Sequence, residues 1–185
     1  KDLLGFYNAH AKASEALASK DFQRAGRLYQ RLVDERPGFL AGHLNLARIV
    51  REQGDETASI PHLLRALEIN PDHSGSHNNL ALAYQVQNNL PKACEHFQLA
   101  IETTPFVAEQ AKLHGNLADA WIRQGQLKES LAHYQQAIAL KWGYTRAHFG
   151  VARTLFLMGQ TEEAIAQYRA VLELDRQYPG ARNAL

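Results

Sequence analysis

Four histidines stand at spacings that suggest chemistry. His43, His77, His114 and His148 follow one another at 34, 37 and 34 residues. Imidazole is a common metal ligand and the side chain that titrates nearest neutrality. A shared metal needs its ligands within a few ångströms of one another, because zinc holds each nitrogen at about 2.0–2.1 Å. Equivalent residues on neighbouring packed helices lie roughly 8–10 Å apart or farther. The four are therefore expected to pack and not to coordinate. His73 and His77 are four apart, as metal pairs on helices often are, but they straddle Ser74-Gly75-Ser76 with no carboxylate or third ligand nearby.

Other catalytic signatures are missing from the sequence. Cys94 is the one cysteine, with Lys92 its only basic neighbour, so an inert thiol is expected. There is no G-x-S-x-G, no glycine-rich phosphate loop and no H-E-x-x-H. Neither an enzyme, nor a metal site, nor a cofactor is expected within these residues.

The asparagines carry more information. Asn45, Asn79 and Asn116 each fall two residues after a motif histidine. A side-chain amide offers a donor and an acceptor together, as a peptide bond does. Such a set can grip a peptide backbone without reading side chains. It stops at Gly150, and Ala11 holds the same place at the start of the chain.

The elements that position these residues follow a fixed period. Pro37, Pro71 and Pro105 are 34 and 34 apart, and Gly54, Asn88, Gly125 and Gly159 repeat the 34, 37, 34 spacing. Residues 77–105 form one copy: an apolar face at Leu80, Ala81 and Tyr84, a break at Asn88-Asn89, then a second face at Ala93, Phe97, Ala100 and Ile101. Apolar residues three and four apart predict helices. These fall at 1–20 after a short lead, then 22–35, 40–53, 57–69, 74–87, 90–103, 106–124, 127–140, 145–158 and 161–174. Asp21 is a natural cap for the second. Pro61 means that its helix starts late, behind Ser59, or bends. The three extra residues before His114 predict a longer helix, capped by Thr104 with Pro105 at its first position.

A 34-residue helix–turn–helix period resembles the tetratricopeptide repeat. The small and large apolar positions match: Leu46, Ala47, Leu63 and Ala66; Leu80, Ala81, Phe97 and Ala100; Leu117, Ala118, Tyr134 and Ala137; Val151, Ala152, Tyr168 and Val171. The first copy is degenerate in its first helix but sound in its second, at Ala25, Tyr29 and Leu32. The H-x-N-L-A wording at His43, His77 and His114 is similar to the repeats of O-linked N-acetylglucosamine transferases and their bacterial relatives. The resemblance implies an all-α, right-handed superhelical solenoid of antiparallel helix pairs. It would form a single array over 1–185, with repeats at 6–39, 40–73, 74–107, 111–144 and 145–178 and a partial sixth at 179–185.

It also implies a concave groove lined by the first helix of each repeat. Asn45, Asn79 and Asn116 then face it, as in the asparagine ladder of that superhelix. Projecting the other groove positions gives Arg48, Arg51, Glu52, Leu82, Gln85, Lys112, Asp119, Ile122, Arg123, Arg146, Arg153 and Phe156. Basic residues dominate, which suits an acidic or carboxylate-bearing peptide; a solvated helix face also suits arginine. The carboxylate clamp of co-chaperone repeats fits poorly, since at its positions in repeats two to four only Asn79 and Lys112 match by type.

Composition narrows the partners. The formal charge is +1, which gives no reason to expect nucleic acid. No apolar run approaches the roughly 18 residues of a spanning helix, so membrane insertion is not expected. One cysteine suits a reducing compartment such as the cytoplasm, and a periplasmic protein also does without disulfides. The chain begins at Lys1 and ends within a sixth repeat, which reads as a fragment of a longer protein. The expected function is a non-catalytic scaffold that holds an extended peptide or partner helix in its groove. The alternative is the substrate-recruiting arm of a larger enzyme, such as a glycosyltransferase. Leu172 and Leu174 of the last predicted helix would also give a second copy a surface to pair with.

Overall fold

The computed structural model describes residues 3–185. Within them the chain forms α1 (Leu3–Ala18), α2 (Phe22–Glu35), α3 (Leu40–Glu52), α4 (Ile60–Ile69), α5 (Ser74–Val86), α6 (Leu90–Thr103), α7 (Val107–Arg123), α8 (Leu127–Leu140), α9 (Thr145–Leu157), α10 (Thr161–Leu174) and α11 (Pro179–Ala184). A 3-10 turn, Thr57–Ser59, precedes α4. The fold is all-α, with no strand among the described residues. The chain divides into two compact units, Lys1–Asn88 and Asn89–Leu185. The division falls inside the third repeat, between α5 and α6.

In the first unit α1 packs on α2, α2 on α3, α3 on α4, and α4 on α5. Helices joined by such short turns pack antiparallel. Phe6, Leu17, Tyr29, Leu32, Leu46 and Ile49 share one buried cluster. In the second unit the same sequential packing runs from α6 to α11. One cluster holds Ala118, Tyr134, Ala137, Ala147 and Val151. Another holds Ala152, Ala164, Tyr168, Val171 and Ala181. Truncating one of the fully buried large residues, such as Phe97, removes transfer energy and leaves a void, a loss of about 3–5 kcal/mol.

One helix start meets expectation and another departs from it. α4 starts at Ile60 with Pro61 in its first turn, so the late start is correct and no bend is needed. Ser59 supplies no side-chain cap; its hydroxyl instead donates back to the Glu56 carbonyl. α7 is the longest helix described, 17 residues, as the three-residue insertion predicts. Its start is corrected, however. Thr104 ends α6, its N–H donating to the Ala100 carbonyl, and Pro105 lies in the connection. Phe106 precedes α7 without a side-chain cap. Asp21 caps α2 as expected, accepting from the Arg24 N–H at 3.0 Å.

The turn within each repeat needs a left-handed residue. Gly54, Gly125 and Gly159 take φ of 88°, 77° and 81° there. Asn88 takes 58° in the third repeat, and Lys20 takes 60° in the first. A left-handed backbone costs an L-residue about 1–2 kcal/mol, which glycine escapes and asparagine partly tolerates. Lys20 is the misfit. Lys20→Gly is expected to stabilise the protein by about 0.5–1 kcal/mol, and Gly125→Ala to destabilise it by a similar amount or more. Chemical denaturation of the two variants beside wild type checks both signs.

Candidate functional site

The motif histidines are placed by their ring nitrogens. His43 donates Nε2–H to the Pro37 carbonyl at 3.0 Å. His77 donates to Pro71 at 2.8 Å, and His148 to the Trp142 carbonyl at 2.8 Å. Each acceptor lies six residues earlier, in the turn that enters the helix. The ring satisfies a turn carbonyl one residue past the C-cap of the preceding helix. His114 differs because the residue six before it, Ala108, is already inside α7. Its Nδ1 meets Nδ1 of His133 at 3.0 Å. His73 is an N-cap: its Nδ1 accepts from the Ser76 N–H at 3.0 Å, and this role explains the four-residue spacing to His77.

Cys94 is buried, and Gln124 Nε2 approaches its sulfur at 3.0 Å. Burial pushes the thiol up, only partly opposed by that contact, so thiolate is scarce at neutral pH.

In the first unit, Asn45 on α3 is half-buried. It borders a recess of about 330 Å³ with Ser14, Leu17, Ala18, Tyr29 and Arg48. The Tyr29 hydroxyl reaches Ser14 Oγ at 3.0 Å, so a phenol from the second helix surfaces between first-helix side chains. Arg48 also borders a neighbouring recess of about 320 Å³ with Arg51, Glu52 and Glu56. Its own partner, Glu52, is loose at 3.9 Å, and both side chains are more than half exposed. Arg51 is held more firmly by Glu56, at 2.8 Å. Asn79, on α5, is half-buried.

The second unit repeats this plan with more charge. Tyr134 donates its hydroxyl to Asp119, the position equivalent to Ser14. Arg146 spans Asp119, through its Nη2, and Asn116 Oδ1, at 3.1 Å. The Tyr144 hydroxyl accepts from Arg146 at 3.3 Å. Burial and the Asp119 carboxylate hold the Tyr134 phenol well above its ordinary value, so it stays a donor. Lys112, Arg123 and Arg153 are exposed; Arg153 acts on the phenols of both Tyr134 and Tyr168.

Thus the structure gathers Asn45 with Arg48 in one unit, and Asn116 with Asp119 and Arg146 in the other. Sequence reading treated Tyr29 and Tyr134 as core alone. The signal that could have found them is the hydroxyl itself, at a position where Leu63 and Phe97 stand in the second and third repeats.

Gly150 explains why the asparagines end. A Cβ there would stand 2.3 Å from the Tyr134 ring, which leaves no room for any side chain. Gly150→Ala is expected to cost about 1–3 kcal/mol. Tyr134→Leu in the same chain should shrink that cost, because the leucine lacks the ring atoms that collide. A double-mutant cycle by denaturation measures the coupling.

Three family models, each described as tetratricopeptide repeat, match residues 10–74, 72–141 and 121–185. Among solved structures, a MamA protein is similar over 94% of this chain and 95% of its own, at TM-score 0.86 and 19% identity. MamA from Desulfovibrio magneticus RS-1 is similar over 94% and 97%, at TM-score 0.84 and 14% identity. YrrB, described as a TPR protein with an unusual peptide-binding site, covers 83% of this chain and 77% of its own, at TM-score 0.69 and 21% identity. At such identities these likenesses concern the fold. No curated protein matches the chain in sequence.

Proposed function

The chain belongs to the tetratricopeptide repeat family, whose repeats are protein-interaction modules, and from that premise we propose a non-catalytic scaffold that holds an extended polypeptide along its first helices. The observation that carries this reading is the recess beside Asn45, where an amide, a hydroxyl pair and a guanidinium converge within about 330 Å³. Amides suit peptide N–H and C=O groups of any sequence. Asn45, Asn79 and Asn116 are the backbone-holding residues in this proposal.

Arg48 is the residue we assign to selecting acidic character. Its pairing with Glu52 is long and exposed, and such pairs contribute little. A ligand carboxylate can replace Glu52 at small cost and form the stronger bidentate contact. Arg51 and Arg146 already face firmer internal partners, Glu56 and Asp119. Their proposed role is to shape the surface. Lys112, Arg123 and Arg153 would add a general attraction that salt screens.

The test is a display selection of random peptides on the purified chain, followed by calorimetry with the best binder. Asn45→Ala with Asn116→Ala should weaken binding about tenfold, consistent with about 0.5–1.5 kcal/mol for each lost hydrogen bond, with only a small fall in melting temperature from the exposed Arg146–Asn116 bond. Arg48→Ala should cost more for a peptide with Asp or Glu than for its amide counterpart. Unchanged affinity in the asparagine variant would remove these residues from the site.

A further inference from the structure

The second helices carry a histidine column of their own. His62, His96 and His133 are 34 and 37 residues apart, and Gln167 stands 34 farther on. In repeat terms they are partners of His43, His77, His114 and His148. In the first unit the rings of His43 and His62 lie 6.4 Å apart, centre to centre, at 34°. In the second, His114 and His133 stack at 5.3 Å and 27°. His43 is buried and the other three are half-buried.

The hydrogen bond within the second pair fixes how many protons that pair holds. The Nδ1–Nδ1 contact of His114 and His133, at 3.0 Å, needs one donor and one acceptor. A second proton there would bring two donors and two positive charges together. His43 donates Nε2–H to Pro37, so its Nδ1 is the acceptor atom, and that atom is buried without a partner.

We propose that these pairs are proton-sensitive latches between the first and second helices of repeats two and four, closed at neutral pH and loosened by acid.

The charges on the packed elements do not offset the added protons. Around His43 and His62, the guanidinium of Arg36, just past α2, lies over the Phe6 ring. Arg65 of α4 is paired with Glu68, Arg48 of α3 is solvent-exposed with Glu52 only loosely beside it at 3.9 Å, and His77 of α5 bonds Pro71. Around His133, α6 brings Cys94 and Glu95 to a shared wall, with the thiol kept neutral and the carboxylate exposed at the rim. On α9, Arg146 is held by Asp119 and His148 by the Trp142 carbonyl. Burial lowers His133. Burial together with the neighbouring imidazole lowers His62 and His114. The unfolded chain therefore takes up protons, as pH falls through about 6.5, that the folded chain refuses. Stability present at neutral pH is lost through that range.

The latch stands apart from the proposed groove, although α3 and α7 also carry Asn45 and Asn116. The experiment compares thermal unfolding at pH 7.5 and pH 5.0, above the carboxylate range. The second chain tested is His62→Gln with His133→Gln, glutamine being the residue of the fifth repeat at that place. The wild-type Tm is expected to fall by about 5 °C or more, and the double variant by less than half as much. An equal fall in both overturns the proposal. NMR titration of the wild-type imidazoles is the second measurement and decides alone if the variant does not fold. Depressed titration of His62, His114 and His133 supports the latch, and titration at or above the ordinary value overturns it.

Discussion

Close approach at small side chains holds the helix pairs within each unit together. Ala25, Ala66, Ala81, Ala93, Ala100, Ala118, Ala137, Ala152 and Ala164 are all fully buried. Beside them Tyr29, Leu63, Phe97, Tyr134 and Tyr168 recur at one repeat position and are buried in turn. The small residues let backbones come near, and the large ones fill the space that this geometry leaves. Packing of that density transmits any change in volume. The distance between first and second helices is therefore set by these residues, and every polar contact across the pair depends on it.

The histidine bond to the turn carbonyl is one such contact. It occurs where a turn lies six residues before the ring, as at Pro37, Pro71 and Trp142. The insertion before α7 moves helix into that place, and His114 turns to His133 instead. A three-residue change in helix length thus converts a ring–carbonyl bond into a ring–ring bond, with different consequences for protonation.

The groove positions show a related tension between structure and binding. Arg51 and Arg146 are engaged with Glu56 and Asp119, and Asn116 Oδ1 accepts from Arg146. A basic count along a projected face overstates the charge open to a ligand, because Glu56 just past α3 and Asp119 on α7 supply carboxylates to Arg51 and Arg146. The second of these pairings joins residues on different helices and is revealed only by the tertiary structure.

The sequence by itself determined the helices, the left-handed turns and the buried small and large positions, because these follow from local periodicity and from the residues that punctuate it. Gly54, Gly125 and Gly159 were legible as turns; Lys20 was not, since lysine has no preference for that conformation. Thr104 and Pro105 were misplaced because a cap and a terminator share the same residue types, and only the completed backbone separates them. The rest belonged to the tertiary structure: why the asparagines stop at Gly150, which arginines are already paired, and which histidines meet. Apart from local pairs such as Arg51 with Glu56, each of these is a distance between groups on different helices, fixed by packing and absent from any spacing along the chain.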